Sequence, residues 1–271
     1  MLPQGGAKGG TPVRNLLVML RFDGRGYHGW QVQRNALTVM AAFQDALESL
    51  FGCRPDVKGC SRTDAGVSAL EYGVSFFLDN PIPCERLVRA LNSRLPAAIA
   101  AMSCREVPAD FHARYACLGK RYCYRVLNAP EPDPFWAGLA LHWPHPLDEA
   151  LLGREAQAFV GRRDFSAFCN AGGQAQDPVR AVRAVSVTRR GRLVELRVTG
   201  DGFLYNMVRI MAGTLLDLSQ GRIAPGEIPA ILESRDRARA GITAPACGLI
   251  LERVFYPWDP PEPPLGGSIR R

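Results

Sequence analysis

The first half of the chain alternates between amphipathic stretches with helical spacing and short hydrophobic runs that are typical of strands. Thr38 precedes one amphipathic stretch and can cap it, and Pro83 opens another. The hydrophobic runs between them are bounded by Gly, Asp, Asn and Pro, which indicates strands joined by turns. The predicted elements, in the order β-α-β-β-α-β, span residues 15–22, 38–51, 57–60, 72–78, 83–94 and 99–107.

The second half repeats this order of elements without detectable sequence identity to the first. A hairpin is predicted at the turn Arg189-Arg190-Gly191. The predicted elements span residues 121–127, 147–160, 182–188, 193–198, 204–218 and 248–256, with an extra helix near 225–234. We therefore predict an α+β fold of two ferredoxin-like, RRM-like βαββαβ halves, at 13–109 and 110–256. Open sheets of this kind are a common platform for RNA.

The basic amino-acid composition of the chain favours a polyanionic binding partner. The chain has 271 residues, a net charge of +7 and a pI of about 9.2. Residues 1–12 are rich in Gly and residues 257–271 carry five prolines, so both ends are predicted to be disordered. No hydrophobic run has transmembrane length and no signal peptide is evident, which favours a cytoplasmic protein without a membrane partner.

Cysteine and histidine usage argues against a metal site. The chain has eight cysteines, none with C-x-x-C spacing, and only four histidines. Scattered cysteines in a chain of this length are typical of reduced thiols in a cytosolic protein. The sequence also lacks a phosphate-binding P-loop and a G-x-G-x-x-G motif that leads directly into a helix. A zinc site is therefore not expected, and a dinucleotide site fits this sequence poorly.

The strongest chemical candidate is Asp64, within the segment Ser61-Arg62-Thr63-Asp64-Ala65-Gly66-Val67. A single carboxylate stands here in a short turn between two hydrophobic runs, which suits a nucleophile or a base. Arg62 is close enough to steer a phosphate or hold a neighbouring group, and Gly66 leaves room for a substrate to approach. The purely structural interpretation is an Asp that caps a backbone N–H of its own turn.

Two further candidates lie on predicted regular elements. Tyr122 and Tyr124 share one face of a strand, with Arg121 on the other, so a tyrosine could stack on a nucleobase or both could belong to the core. Arg209 lies in a hydrophobic helix, where its charge must be paired or must reach solvent. It could therefore pair with a carboxylate such as Asp64, or lie on an exposed helix face.

Two loop segments mix aromatic, basic and flexible residues in a way that suits single-stranded nucleic acid. One is the Gly-rich loop 23–31, which could equally be a plain connection, and the other is the weaker segment 111–114. The side chains predicted to contact RNA, including one from the tyrosine strand, are Arg25, Tyr27, Trp30, Gln31, His112, Arg114 and Arg121.

Taken together and in order, these segments resemble the tRNA pseudouridine synthase A family. The resemblance covers most of the chain, and its most specific element is Arg62-Thr63-Asp64-Ala65-Gly66-Val67. The other matching segments are Tyr27-His28-Gly29-Trp30-Gln31, Asp110-Phe111-His112-Ala113-Arg114, Arg121-Tyr122-Cys123-Tyr124, Asp164-Phe165, Phe203-Leu204-Tyr205-Asn206-Met207-Val208-Arg209 and Gly248-Leu249.

The resemblance implies the pseudouridine synthase fold, with the two halves joined through a central sheet across a cleft, in a homodimer without a cofactor. It implies isomerisation of uridine to pseudouridine in the anticodon stem-loop of tRNA, typically at positions 38 to 40. By position, Asp64 corresponds to the catalytic aspartate and Tyr122 to the tyrosine that stacks on the target base. Arg62 corresponds to the arginine that helps to extract the base, Arg209 to the partner of the aspartate, and Leu249 to a substrate-binding position.

The chain departs from the frequent family pattern at Ser61, Ser68, Tyr72-Gly73 and residues 204–206. These departures leave open a paralogue that acts at another tRNA position or on another RNA. The chain could also be a non-catalytic RNA-binding protein or a small-molecule transferase of ferredoxin-like fold. A carboxylate in a basic cleft argues against the first of these, because it would not help to bind phosphates. The sequence also leaves open whether Asp64 attacks C1′ of the ribose, attacks the uracil ring or removes a sugar proton.

Overall fold

A computed structural model of the chain describes residues 13–172 and 176–260, and within these residues it forms ten strands and five α-helices. The predicted disordered segment 1–12 lies outside them, as do residues 261–271. The elements are β1 (Arg14–Phe22), α1 (Val39–Phe51), β2 (Lys58–Gly59), β3 (Ser68–Leu78), α2 (Cys84–Asn92), β4 (Ile99–Val107), β5 (Gly119–Asn128), β6 (Leu141–Trp143), α3 (Glu149–Ala156), β7 (Gly161–Asp164), β8 (Val179–Arg190), β9 (Leu193–Gly200), α4 (Met207–Ser219), α5 (Ile228–Ser234) and β10 (Leu249–Phe255).

All described strands belong to one sheet, with the order β4-β1-β3-β10-β5-β9-β8-β7. β2 adds to β3 and β6 adds to β5. In the first half β1 lies between β4 and β3, and in the second half β5 lies between β10 and β9. This is the ferredoxin-like arrangement. The halves join where β10 runs parallel to β3, with Ile250 opposite Ser68 and Leu251 opposite Ala69. The prediction of an α+β fold with a joined central sheet is confirmed, while a domain division at residue 110 stays a prediction.

Local capping explains several element boundaries. The Thr38 hydroxyl accepts a hydrogen bond from the backbone N–H of Ala41, as predicted, and Gly52 ends α1 in a left-handed conformation with φ of 67°. The sequence pattern places the start of the late helix at residue 204, but α4 begins only at Met207. Asn206 precedes it with φ of 61°, a left-handed conformation that a continuous helix cannot contain.

The second half also contains elements that the sequence pattern does not predict. β6 is three residues long, and β7 has the sequence Gly-Arg-Arg-Asp, so neither shows a hydrophobic alternation. The predicted hairpin turn at 189–191 is wrong by about two residues, because β8 continues to Arg190 and pairs there with Leu193. Long polar strand ends of this kind carry no hydrophobic signal.

Helices pack on the sheet, and a hydrophobic core continues through both halves. Phe43 of α1 meets Phe76 of β3, with ring centroids 5.7 Å apart. Past the last strand, Trp258 stacks on Tyr256 at 5.3 Å, so ordered packing continues beyond residue 257, where the sequence predicts the Pro-rich tail to begin. No helix among the described residues is long and apolar enough to cross a membrane.

Candidate active site

Asp64 lies in a tight loop between β2 and β3. Its backbone carbonyl accepts a hydrogen bond from the N–H of Val67 at 3.2 Å. Gly66 adopts φ of 81°, a conformation that favours glycine, and its N–H donates to the carbonyl of Tyr27 at 3.1 Å. The Asp64 side chain remains 25% exposed, so the loop presents one carboxylate at a surface instead of burying it as a cap.

The Gly-rich loop 23–31 packs against the Asp64 loop and forms hydrogen bonds with its backbone. The N–H of Trp30 donates to the carbonyl of Thr63 at 3.3 Å. Gly29 has φ of 80°, and a Cβ at this position would collide with the same carbonyl, so only glycine permits the approach. Trp30 is 2% exposed and packs on Tyr72 with ring centroids 4.4 Å apart. Neither the Trp30 ring nor the buried Tyr27 ring lines the cavity beside Asp64, so the predicted contacts of these two rings with RNA are wrong.

Arg209 brings α4 to the same place. Its Nη1 lies 3.2 Å from Oδ2 of Asp64 and donates to Oδ1 of Asn206 at 2.7 Å. Its Nε donates to the carbonyl of Ala244 at 2.7 Å. Three partners hold the guanidinium, so the predicted pairing with Asp64 is confirmed and the placement on an exposed helix face is wrong.

Burial and charge act on Asp64 in opposite directions. Partial burial of the carboxylate raises the pKa of Asp64, because desolvation penalises its charged form. The charge and the hydrogen bond of Arg209 both lower the pKa of the same group. Desolvation is the largest of these effects, so the pKa of Asp64 lies above its usual value although Arg209 opposes the shift.

The two tyrosines of β5 divide between site and core. Tyr124 is fully buried and donates its hydroxyl to the carbonyl of Pro245 at 2.8 Å. The Tyr122 ring borders the cavity beside Asp64 and meets Phe203 edge to face, with centroids 5.2 Å apart. Its hydroxyl lies 3.2 Å from the hydroxyl of Ser61, so the ring is anchored at its polar end. Tyr124 is therefore a core residue, whereas Tyr122 lines the cavity.

A cavity of about 660 Å³ joins these elements. It is large enough for a nucleotide with part of its backbone. The residues predicted from the sequence that line it are Gln31, Arg62, Asp64, Arg114, Tyr122 and Leu249. Among the described residues, no group of three or more His, Cys, Asp or Glu side chains is placed to hold a metal ion.

Comparison with known proteins agrees with this arrangement. The sequence profile described as tRNA pseudouridine synthase matches residues 18–116 and 156–257. This chain belongs to that family. A relative named tRNA pseudouridine synthase A, from Acetivibrio thermocellus, is 45% identical over 244 residues, covering 90% of this chain and all of the relative. A relative of the same name from Ruminiclostridium cellulolyticum is 40% identical over 245 residues, again covering 90% of this chain and all of the relative.

A third relative, tRNA pseudouridine synthase A 2 from Clostridium tetani, is 39% identical over 246 residues, covering 90% of this chain and 99% of the relative. In all three cases the match therefore extends over nearly the full length of the relative. The residues matched by the family profile include both Asp64 and Arg209, the ion pair at the cavity.

Three further side chains predicted to contact RNA lie outside the cavity of this family member. Arg121 points to the opposite face of the sheet, where it is 7% exposed, bonds the Thr199 hydroxyl at 3.3 Å and approaches the Phe255 ring at 5.7 Å. Its burial contradicts a direct contact with RNA. Arg25 is exposed and paired with Asp23, and His112 is half-buried, so their contacts with RNA stay predictions.

The cavity also contains side chains that the sequence reasoning missed. Tyr115 is 78% exposed at its edge, with the His112 ring 4.4 Å away. Phe203 and Lys120 line it as well. Lys120 could have been predicted from the sequence, because it precedes Tyr122 by two residues on a strand and therefore shares its face. No comparable periodicity marked Tyr115 or Phe203, which lie in loops.

Proposed function

We propose that this protein is an isomerase that converts uridine to pseudouridine in tRNA. The observation that carries the proposal is the cavity of a tRNA pseudouridine synthase family member, in which Asp64, paired with Arg209, lies beside Tyr122. The relatives are named for this activity. A carboxylate paired with one arginine has no use in a protein that only binds phosphates, which argues against a non-catalytic RNA-binding role.

The reaction requires little beyond these groups. The N1–C1′ bond of uridine breaks, the uracil turns, C5 bonds to C1′, and the proton lost from C5 is balanced by one gained at N1. No electrons are transferred. The target base must first leave its stack, and the Tyr122 ring offers a surface on which it can stack. Asp64 serves as the nucleophile or base, and Arg62 at the cavity edge assists extraction of the base.

We extend the proposal to the anticodon stem-loop, at positions 38 to 40, and to a homodimer in the cytoplasm. Family resemblance supports each of these statements. Pseudouridine mapping of total tRNA from cells with and without the gene tests the substrate, and light scattering of the purified protein tests the dimer. Loss of pseudouridine at positions 38 to 40 is expected, whereas unchanged tRNA would contradict the proposal.

RNA binding should weaken steeply as salt rises. Arg62, Arg114 and Arg180 line the cavity, and the net charge is +7, so bound phosphates release counterions. We expect a linear fall of log Ka for tRNA against log salt between roughly 50 and 200 mM, with a slope of several units. Fluorescence anisotropy provides the measurement, and a flat dependence would contradict an RNA substrate.

Replacing Arg209 with Met should move the acid limb of the pH–rate profile to higher pH. Arg209 lowers the pKa of Asp64, so its loss leaves the desolvation that raises this pKa unopposed. Because the ionised carboxylate is the active form, activity is lost as pH falls through its pKa, and a higher pKa means earlier loss. Single-turnover rates from about pH 5 to 9 measure the limb.

A matched control is Arg222→Met, which breaks an ion pair with Asp217 that does not involve the cavity. Its profile should keep the acid limb of the unaltered protein. The position of the limb, not the height of the profile, is the readout, so a general loss of rate does not obscure the result. An acid limb that stays in place in Arg209→Met would show that the arginine does not tune Asp64.

A further inference from the structure

Lys120 is a buried cation at the wall of the cavity. It precedes Tyr122 by two residues on β5, so both side chains project from the same face of the sheet. It is 8% exposed, and it lines the cavity together with Tyr122 and Ser61. A lysine this deeply buried is rare unless an anion accompanies it.

Within the described residues, the Lys120 ammonium has no ion-pair or hydrogen-bond partner in a side chain. Asp64, the carboxylate proposed to carry out the reaction, is already paired with Arg209. The Cys60 thiol lies close enough to interact, but burial raises its pKa to about 12, so it carries no negative charge at neutral pH. The described side chains therefore supply no counter-charge for this cation, which lines the cavity that an anionic substrate would enter.

We propose that Lys120 binds a backbone phosphate of the nucleotide whose base stacks on Tyr122. This inference rests on the proposed function. The phosphodiester is the formal anion of an RNA substrate, and the uracil ring, which is neutral, cannot compensate a buried ammonium equally well. A lysine suits this task because its compact charge contacts one phosphate oxygen without the planar fork of an arginine.

The neighbouring charges support a path for the RNA backbone through this part of the cavity. Arg114 lies exposed on the same cavity wall, and Arg62 borders the cavity next to Ser61. These exposed arginines can follow the backbone outside, while Lys120 accepts the phosphate that enters with the extracted nucleotide. The buried ammonium thus distinguishes an inserted nucleotide from RNA that is bound only at the surface.

The test compares Lys120→Gln and Lys120→Arg with the control Lys58→Gln. Lys58 is an exposed lysine paired with Asp56 and does not line the cavity. Each variant is made with Asp64→Asn, so that RNA is not converted, and its affinity for an anticodon stem-loop RNA is measured over a salt series. Lys120→Gln should weaken binding about tenfold and reduce the salt slope by roughly 0.7 to 0.9. Lys120→Arg should retain the slope, and Lys58→Gln should change affinity less than about twofold.

A second measurement identifies the phosphate. RNAs that carry one neutral methylphosphonate at a time across the loop are titrated against the lysine and glutamine forms. One methylphosphonate should weaken binding to the lysine form and leave binding to Lys120→Gln unchanged, which is the non-additivity expected of a direct pair. Should Lys120→Gln fail to fold, the same scan is performed with the lysine form and Lys120→Met, which also lacks the charge.

The outcomes separate this inference from the proposed function. Absence of pseudouridine formation by the unaltered protein on this RNA would overturn the proposed function. Pseudouridine formation together with an unchanged salt slope in Lys120→Gln would overturn only the role of Lys120. A loss of affinity without a slope change and without any coupled phosphate would indicate a contact with the uracil and would also overturn the inference.

Discussion

Asp64→Asn should abolish pseudouridine formation while RNA binding stays largely intact. The amide has the shape of the carboxylate and can still contact the Arg209 guanidinium through its oxygen, but it can neither attack carbon nor accept a proton. We expect a rate loss of at least roughly a thousandfold, the scale typical of removing a catalytic group. Single-turnover conversion of a tRNA substrate measures the rate, and anisotropy measures the affinity.

Asp45→Asn is the matched control for this variant. Asp45 is an exposed carboxylate on α1 that pairs with Arg54, and it does not line the cavity. Its conversion to Asn removes the same charge and should leave the rate within about twofold. Substantial turnover by purified Asp64→Asn, with a normal thermal unfolding transition, would refute the assignment of Asp64 as the catalytic group.

The strongly patterned parts of the fold are predictable from the sequence. β4 has its predicted limits and α1 its predicted end, because their hydrophobic spacing and caps agree. The short strands β6 and β7 escape prediction because three or four residues contain too little pattern to show a period. Pairing with a neighbouring strand creates them, and a single sequence does not show that neighbour.

The site is predictable where a residue type conflicts with its surroundings. Arg209 in a hydrophobic helix requires a partner, and Asp64 is that partner. Trp30 carries no such conflict, since an aromatic ring in a Gly-rich loop is equally compatible with base stacking and with packing. Its burial against Tyr72 depends on Gly59, where a Cβ would lie 2.6 Å from the Trp30 ring. Contacts between distant segments of this kind account for the errors.

Two loops and one helix therefore form the site by different means. The Asp64 loop is held by backbone hydrogen bonds to the Gly-rich loop. Trp30 and Tyr27 provide these bonds through their backbone, and their buried rings belong to the core. α4 contributes through Arg209, whose Nε is fixed by the carbonyl of Ala244. Backbone hydrogen bonds of the loop and the ion pair with Arg209 together fix the position of the carboxylate.

Tyr122→Ala should lose most activity, and Tyr122→Phe should keep most of it. Stacking of a base on an aromatic ring is worth about 1–3 kcal/mol and does not require the hydroxyl. The structure places that hydroxyl 3.2 Å from the Ser61 hydroxyl, and burial raises the pKa of Tyr122 above its usual range, so the group stays neutral. Single-turnover rates on an anticodon stem-loop measure both variants.

Tyr124→Phe is the matched control, because Tyr124 belongs to the same strand and face but donates its hydroxyl to Pro245 in the core. It should lower the free energy of unfolding by about 1 kcal/mol without changing the rate on bound RNA.

The competing role for Tyr122 is a proton carrier at C5 of the uracil. In that case Tyr122→Phe would be as inactive as Tyr122→Ala with RNA affinity preserved in both. Equal inactivity would refute a role limited to stacking, because the phenylalanine ring retains the entire stacking surface and lacks only the hydroxyl.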